Sequence, residues 1–410
     1  MRLKASPFAI LWLLAGIASS TVVANENHGN TLLADTDGDL KKVVISVNSA
    51  RRSTLRNAEL VSNIVNVLPG TTEFLILTND RAAFSTPNGT WPERISFIDM
   101  PAEKPMTMWT QDPFLVLGAP GGQSATTLLA SKSFARAGDS EMAERIAGYT
   151  GYRLLVSDLD FEGGNIVSDE RFILIGANTI HQNAVLLNNS EVEIARLFEQ
   201  ELGRPVLVIG PFPQPIAHLD MMITPLGDGR ILVADSTSGA EIAGQALRDD
   251  PESVAAFERF CEARFFGSPE ITEVHGKDGQ SLSAPEVEGK TVEMIARSRT
   301  IGPLLDGVAA SLERFGYQVE RIPLLFGGPE STGRDSSRDT LLATYPMLTY
   351  NNVLITQSDV WLPRYGWPAM DQAATERWKD LGFSPHPVEG LTISAMYGGA
   401  LRCAVKVLER

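Results

Sequence analysis

The sequence predicts an α/β fold made of five copies of one unit, closed into a pseudo-fivefold ring. A helical apolar pattern that ends in glycine and leads into a short apolar strand occurs five times after Val43. A polar or glycine-rich cluster follows each copy. Most of these clusters run on into a further apolar strand, as a hairpin would. Equivalent units with their clusters at the same place in each imply that the clusters converge on one central pit.

The first unit runs through Leu60, Ile64 and Leu68 to Gly70 and the strand Phe74 to Leu77. The second has Met142 and Ile146 on one helix face, then Gly151 and Leu154-Leu155-Val156. In the third, Ser190 and Glu193 make a capping box, Ile194, Leu197, Phe198 and Leu202 form the apolar face, and Gly203 precedes Val206 to Ile209. Val308, Leu312, Phe315, Gly316 and Val319 make the fourth. The fifth takes Asp371 as cap, Ala374, Trp378 and Leu381 as its face, then Gly382 and a weak strand near Val388. Each glycine is expected at a left-handed helix C-cap.

The clusters are Trp109 to Pro113, Phe161 to Asn165, His218 to Asp220, Thr349 to Asn352, and Gly398 to Cys403. Asp169-Glu170 and Gly227-Asp228-Gly229 read as the turns of the two clearest hairpins. Two longer connections stand apart: 240–300 reads as an insertion and 327–339 as a lid over the pit. The remainder of 42–410 reads as one catalytic domain.

At the N-terminus, Arg2 and Lys4 precede the apolar run Phe8 to Ala18, and Val22-Val23-Ala24 offers small residues, so 1–24 reads as a cleaved export signal and the protein as periplasmic or secreted. Residues 25–41 read as a flexible leader. Asp35-Thr36-Asp37-Gly38-Asp39 begins like a calcium loop, but Leu40 and Ser46 stand where the turn glycine and closing glutamate belong. No later stretch is long and apolar enough for a membrane span. A formal charge of −15 argues against nucleic acid as a partner. With only Cys261 and Cys403, the chain is no disulfide scaffold; Cys261 reads as a buried structural thiol and Cys403 as free.

Pooling the clusters gives Asp112, Glu162, His218, Asp220 and Cys403. Cys403 alone could be a buried small hydrophobe or a nucleophile. Carboxylates around a thiol raise its pKa unless a cation sits between them, and a planar guanidinium suits both the carboxylates and attack at its central carbon. His218 and Asp220, two residues apart, point to one face; His28, His181, His275 and His386 show no such partner in sequence. No third ligand at familiar spacing accompanies His218 and Asp220, so neither metal nor cofactor is expected.

The order acidic motif, Glu-Gly-Gly, His-x-Asp and a C-terminal Gly-Gly-x-x-x-Cys resembles the guanidino-group-modifying enzymes of the pentein superfamily, nearest to agmatine deiminases and bacterial peptidylarginine deiminases. The resemblance spans Val43 to Arg410. It implies a five-bladed α/β propeller with Cys403 as nucleophile, His218 as acid and then base, Asp112 and Asp220 as the guanidinium clamp, and Glu162 orienting His218 or sharing the clamp. Trp109, Gly163, Gly164, Asn165, Gly398 and Gly399 are the expected substrate-binding neighbours. The pattern slips at Gln111, where the group usually has arginine, and at Ala400, where it usually has glycine. The implied activity is deimination of agmatine, arginine or an arginine-containing peptide. An amidinotransferase of the same fold and a non-catalytic pentein that binds a cationic ligand are the competing expectations; a thiol protease leaves Asp112 and Glu162 without a role.

Overall fold

The computed structural model describes residues 29–36, 38–47, 58–81, 92–104, 106–119, 125–136, 138–264, 273–275, 281–283, 288–327 and 345–410. The export signal expected at 1–24 lies outside these residues, as does the expected lid apart from Gly327.

The chain is α/β, and its main strands form five separate sheets of one pattern. In each, an antiparallel pair is followed by a parallel strand reached through one or more helices. Along the chain, Phe114–Gly118 pairs antiparallel with Ala125–Ser131, which pairs parallel with Arg153–Ser157 after helix Met142–Thr150. Ile166–Ser168, Ile173–Gly176 and Val206–Ile209 repeat this around helices Ala177–Leu186 and Glu191–Leu202. Ile223–Gly227, Arg230–Asp235 and Gln318–Leu325 do so around Ser236–Asp249, Pro251–Arg264 and Lys290–Arg314. Leu354–Ile355, Asp359–Pro363 and Ser384–Val388 follow around Pro368–Asp380. The remaining sheet joins the two ends: Val405–Glu409 is antiparallel to Lys42–Val47, which is parallel to Glu73–Thr78 after helix Ala58–Val67. Among the described residues no sheet closes on itself.

Apolar faces of the crossover helices cover the sheets. Ile64 of the first crossover helix, and Trp378 and Ala374 of the last, are fully buried in one continuous cluster with Val43, Phe74 and Val360. Ser190 caps its helix by accepting the Glu193 N–H at 3.2 Å. Gly151, Gly203, Gly316 and Gly382 have positive φ after their helices, as expected.

Several expectations need correcting. Gly70 has no positive φ, because its helix stops at Val67 and the chain turns before it. Asp371 is not the cap: Trp367 is, with Pro368 opening the helix. The Asp371 carboxylate instead reaches back to accept the Tyr365 and Gly366 N–H groups and the Tyr350 hydroxyl. Most of the supposed flexible leader is packed, since Thr31–Leu32 adds a strand beside Leu117 and Gly118. Cys403 lies in the helical turn Leu401–Ala404, just before the strand Val405–Glu409. The stretch 240–300 holds the whole of helix Pro251–Arg264, parts of Ser236–Asp249 and Lys290–Arg314, and a hairpin, Glu273–His275 with Ser281–Ser283.

Candidate active site

Each polar cluster stands directly before the first strand of its antiparallel pair, so every strand delivers its cluster from the same end. Short helical turns at Gly163–Asn165, Leu219–Met221 and Leu401–Ala404 make the delivery. Together they build a cavity of about 240 Å³ whose lining includes Trp109, Asp112, Glu162, His218, Gly399 and Cys403.

Cys403 is buried. Its Sγ accepts from Asn352 Nδ2 at 3.2 Å and lies 3.9 Å from Asp220 Oδ2, while its N–H donates to Asn352 Oδ1 at 3.1 Å. Ligand atoms of His218, Asp220 and Cys403 all fall within 4.8 Å of one another. Burial first, then the Asp220 charge, pushes the thiol up to about 11 against the pull of His218. The thiol is thus held protonated at neutral pH.

His218 Nε2 is 2.7 Å from Glu162 Oε2, and Nδ1 is 3.8 Å from Asp112 Oδ1. Burial favours the neutral ring, yet Asp112, Cys403 and Glu162 outweigh it and lift His218 well above its ordinary value. Burial opposes ionisation of Glu162 too, but the His218 bond and charge and Arg136 bring it down to about 2. Glu162 therefore orients the ring. The other described histidine side chains also have carboxylate partners, contrary to the sequence expectation: His181 with Glu191 at 3.0 Å and His386 with Asp359 at 2.7 Å. Neither lines the pit.

Asp112 is not an open arm of a clamp. Its Oδ2 accepts from Arg136 Nη2 at 2.7 Å, and that guanidinium also reaches Asp139 at 2.9 Å and Glu162 at 3.5 Å. Asp112 Oδ1 receives the Gly164 N–H at 3.3 Å. Asp220 differs. Its Oδ2 accepts from Arg402 Nη1 at 2.8 Å, but Oδ1 is buried with no hydrogen-bond partner among the described residues. Burial raises the Asp220 carboxyl despite Arg402 and His218. An orphaned oxygen on a carboxylate whose other oxygen is 3.9 Å from a thiol suits an N–H donor brought by a ligand.

The glycines act by permitting close approach. A Cβ on Gly164 would stand 2.5 Å from His218 Nδ1, and one on Gly163 2.1 Å from the Gln111 carbonyl oxygen. Gly398 and Gly399 line the cavity with Trp109, and a Cβ on Gly399 would meet the Trp109 ring at 2.3 Å. Asn165 is not a cavity wall. Its carbonyl accepts from Leu219 N and Gln214 Nε2, both at 3.0 Å, and its amide donates to Thr179 Oγ1 at 2.8 Å, which fixes the turn bearing His218 and Asp220. Gln111 donates from its N–H to the Cys403 carbonyl at 3.2 Å and from its amide to the Gly163 carbonyl at 3.2 Å. It therefore ties two clusters together where an arginine was expected, and Ala400 is simply buried.

Sequence reasoning missed Arg136, Arg402 and the part played by Asn352. Asn352 lies within a cluster singled out for its polarity, and Arg402 precedes the thiol. Nothing in the residues around Arg136 marks it. Donor atoms of Asp112, Glu162 and His218, like those of His218, Asp220 and Cys403, come close enough for a metal. Yet Asp112 and Asp220 each already hold a guanidinium, at 2.7 and 2.8 Å.

No family model matches the chain, and no curated protein matches it. Solved structures do. An agmatine deiminase from C. jejuni aligns with TM-score 0.57 and 13% identity over 93% of this chain and 96% of its own. An agmatine deiminase from Enterococcus faecalis gives 0.57 and 14% over 95% and 98%. A Porphyromonas gingivalis protein with a provisional arginine deiminase assignment gives 0.57 and 15% over 92% and 97%. The chain has the fold of these proteins.

Proposed function

We propose that the chain is a guanidino-group hydrolase: it converts a guanidino compound and water to the ureido product and ammonia through a Cys403-linked amidino intermediate. The observation that carries this is the buried, unpartnered Asp220 Oδ1 on a carboxylate whose other oxygen is 3.9 Å from the Cys403 Sγ. A guanidinium that donates to Oδ1 brings its electrophilic carbon toward the sulfur and supplies the positive charge the thiolate lacks. Arrival of the cation offsets the Asp220 carboxylate and lets Cys403 release its proton to solvent, while His218 keeps its own for the leaving nitrogen. Sulfur attacks the carbon; His218, held by Glu162, protonates the departing ammonia and then takes a proton from the water that hydrolyses the thioester-like amidino adduct. Attack of water releases the thiolate and leaves the ureido product.

In this reading the five sheets are the blades of a propeller, and the pit is its centre. The chain reaches its place of work by export, on the charged and apolar N-terminal pattern Arg2 to Ala24. The deiminase names of solved proteins that share the fold support the reaction class.

The test is turnover. Purified protein is incubated with agmatine, arginine and arginine-containing peptides, and ammonia and ureido product are measured. At least one guanidino compound is expected to react, and Cys403→Ala to abolish it. Absence of turnover on every guanidino compound, or full activity in Cys403→Ala, would sink the proposal.

A further inference from the structure

The residues Asp35 to Asp39, which resemble a calcium loop without completing one, contain a carboxylate that serves another purpose. Asp35 reaches the far side of Arg402, the residue beside the thiol. Arg402 Nη2 donates to Asp35 Oδ1 at 2.9 Å, with Nε 3.3 Å from the same oxygen, while Nη1 donates to Asp220 Oδ2 at 2.8 Å. The guanidinium is therefore a rigid plate between two carboxylates, one beside the Cys403 thiol and one on the side away from it. The second carboxylate is itself anchored. Asp35 Oδ2 accepts the Ser168 N–H at 2.9 Å, its own N–H donates to the Ser168 carbonyl at 2.9 Å, and the preceding strand is paired with Leu117 and Gly118. Burial alone would raise the Asp35 carboxyl, but Arg402, Arg410 and the Ser168 N–H hold it below its ordinary value, so it is charged at neutral pH.

The alternatives for Asp220 explain why this matters. Arg402 carries its N–H groups in a fixed fork, so an Arg402 freed from Asp35 can rotate and offer two N–H groups to Asp220. The oxygen left open for substrate would then be taken. We propose that Asp35 is a positioning residue for Asp220, acting through Arg402: the N-terminal strap holds the guanidinium edge-on so that Asp220 keeps one oxygen free for the guanidino ligand. This rests on the guanidinium-binding reading above.

The experiment separates the two ideas. Alkylation of Cys403 by iodoacetamide is followed by peptide mass with and without millimolar guanidinium chloride, sodium chloride being the control, in the parent, Asp35→Asn, Asp35→Glu and Arg402→Lys. The parent is expected to be protected by guanidinium, because the bound cation occupies the space that iodoacetamide needs in front of the sulfur, whatever it does to the ionisation of the thiol. Asp35→Asn is expected to need about tenfold more guanidinium for the same protection, the effect of about one charge-assisted hydrogen bond. Asp35→Glu, which restores the charge, recovers most of it. Arg402→Lys, a point charge without the fork, weakens protection like Asp35→Asn and decides the matter if Asp35→Asn fails to show a cooperative melt. A protected parent with equally protected Asp35→Asn and Arg402→Lys overturns this role alone, as does an Asp35→Glu no better than Asp35→Asn. An unprotected parent overturns the guanidinium site and this role with it.

Discussion

Removing the Asp220 charge is expected to free the thiol and disable the enzyme at once. In Asp220→Asn the amide occupies the same volume, but the negative charge 3.9 Å from Sγ is gone. At an effective dielectric of about 20 such a charge at that distance is worth roughly 4 kcal/mol. Sharing of the charge with the more distant Oδ1 reduces this to about 3 kcal/mol, or about two pH units at 1.36 kcal/mol each. The sign is downward, because the charge favours the protonated thiol, and Arg402, now lacking its partner beside the thiol, acts in the same direction. The thiol, pushed up to about 11 in the parent, therefore reacts at lower pH in the variant. The assay is the pH dependence of iodoacetamide labelling at the Cys403 peptide; Cys261, buried and raised well above its ordinary value, stays silent. Guanidino turnover in the same variant is expected to fall by about a hundredfold or more, because the ligand loses its carboxylate. A labelling midpoint within about 0.5 pH units of the parent would refute the electrostatic coupling between Asp220 and the thiol.

Further outcomes follow from neighbouring contacts. Asn352→Ala removes the Nδ2 donor 3.2 Å from Sγ, so thiolate formation should become harder by about 1.5 kcal/mol and labelling at fixed pH about tenfold slower. Gly164→Ala places a methyl group 2.5 Å from His218 Nδ1 and 3.0 Å from Asp112 Oδ1. It should cost about 1–3 kcal/mol in urea unfolding and displace the imidazole enough to lower kcat. Glu162→Gln tests the His218 pair through stability against pH. Glu162, ordinarily 4.5 and lowered to about 2, stabilises above 4.5 and loses this as pH falls toward 2; His218, raised above 6.5, stabilises below 6.5 and loses this as pH rises through its folded value. The drop in Tm caused by Glu162→Gln should therefore be greatest between about pH 4.5 and 6.5, and an effect independent of pH would contradict the pairing.

Periodicity made the repeated unit legible, because each crossover helix must bury a 3.6-residue stripe and each strand pair an alternating or continuous apolar face. The glycines after four helices were legible too, since a left-handed terminus leaves few other choices. Gly70 and Asp371 misled because the same residue types also serve turns outside the helix and carboxylates reaching back from its first turn. Among the site residues, Cys403, His218, Asp112, Glu162, Trp109, Gly398 and Gly399 line one cavity, and Asp220 is buried beside it, 3.9 Å from the Cys403 sulfur. Asn165, predicted beside them, turns its amide toward Gln214 and Thr179, because a cluster's sequence does not say which side chain faces the centre. Arg136 was illegible for a related reason: it enters from a loop after a hairpin, and only three-dimensional packing brings it to Asp112.

The arrangement of the guanidiniums sharpens the choice of ligand. Asp112, Asp139 and Glu162 surround Arg136, while Asp35 and Asp220 hold Arg402. Five carboxylates thus share two internal guanidiniums and the raised imidazole of His218, with Arg410 also acting on Asp35 and the buried Lys406 acting on Asp35, Asp112 and Asp220. The chain supplies the geometry of carboxylate–guanidinium pairing twice, once on the pit wall at Arg136 and once behind the thiol at Arg402, and leaves one buried carboxylate oxygen unpartnered. A neutral ligand would leave the Asp220 charge and the raised thiol as they are. An anion would add to the repulsion. A cation with in-plane N–H donors relieves both, and once its carbon has become a neutral urea it no longer does, so the electrostatics that draw substrate in do not hold the ureido product.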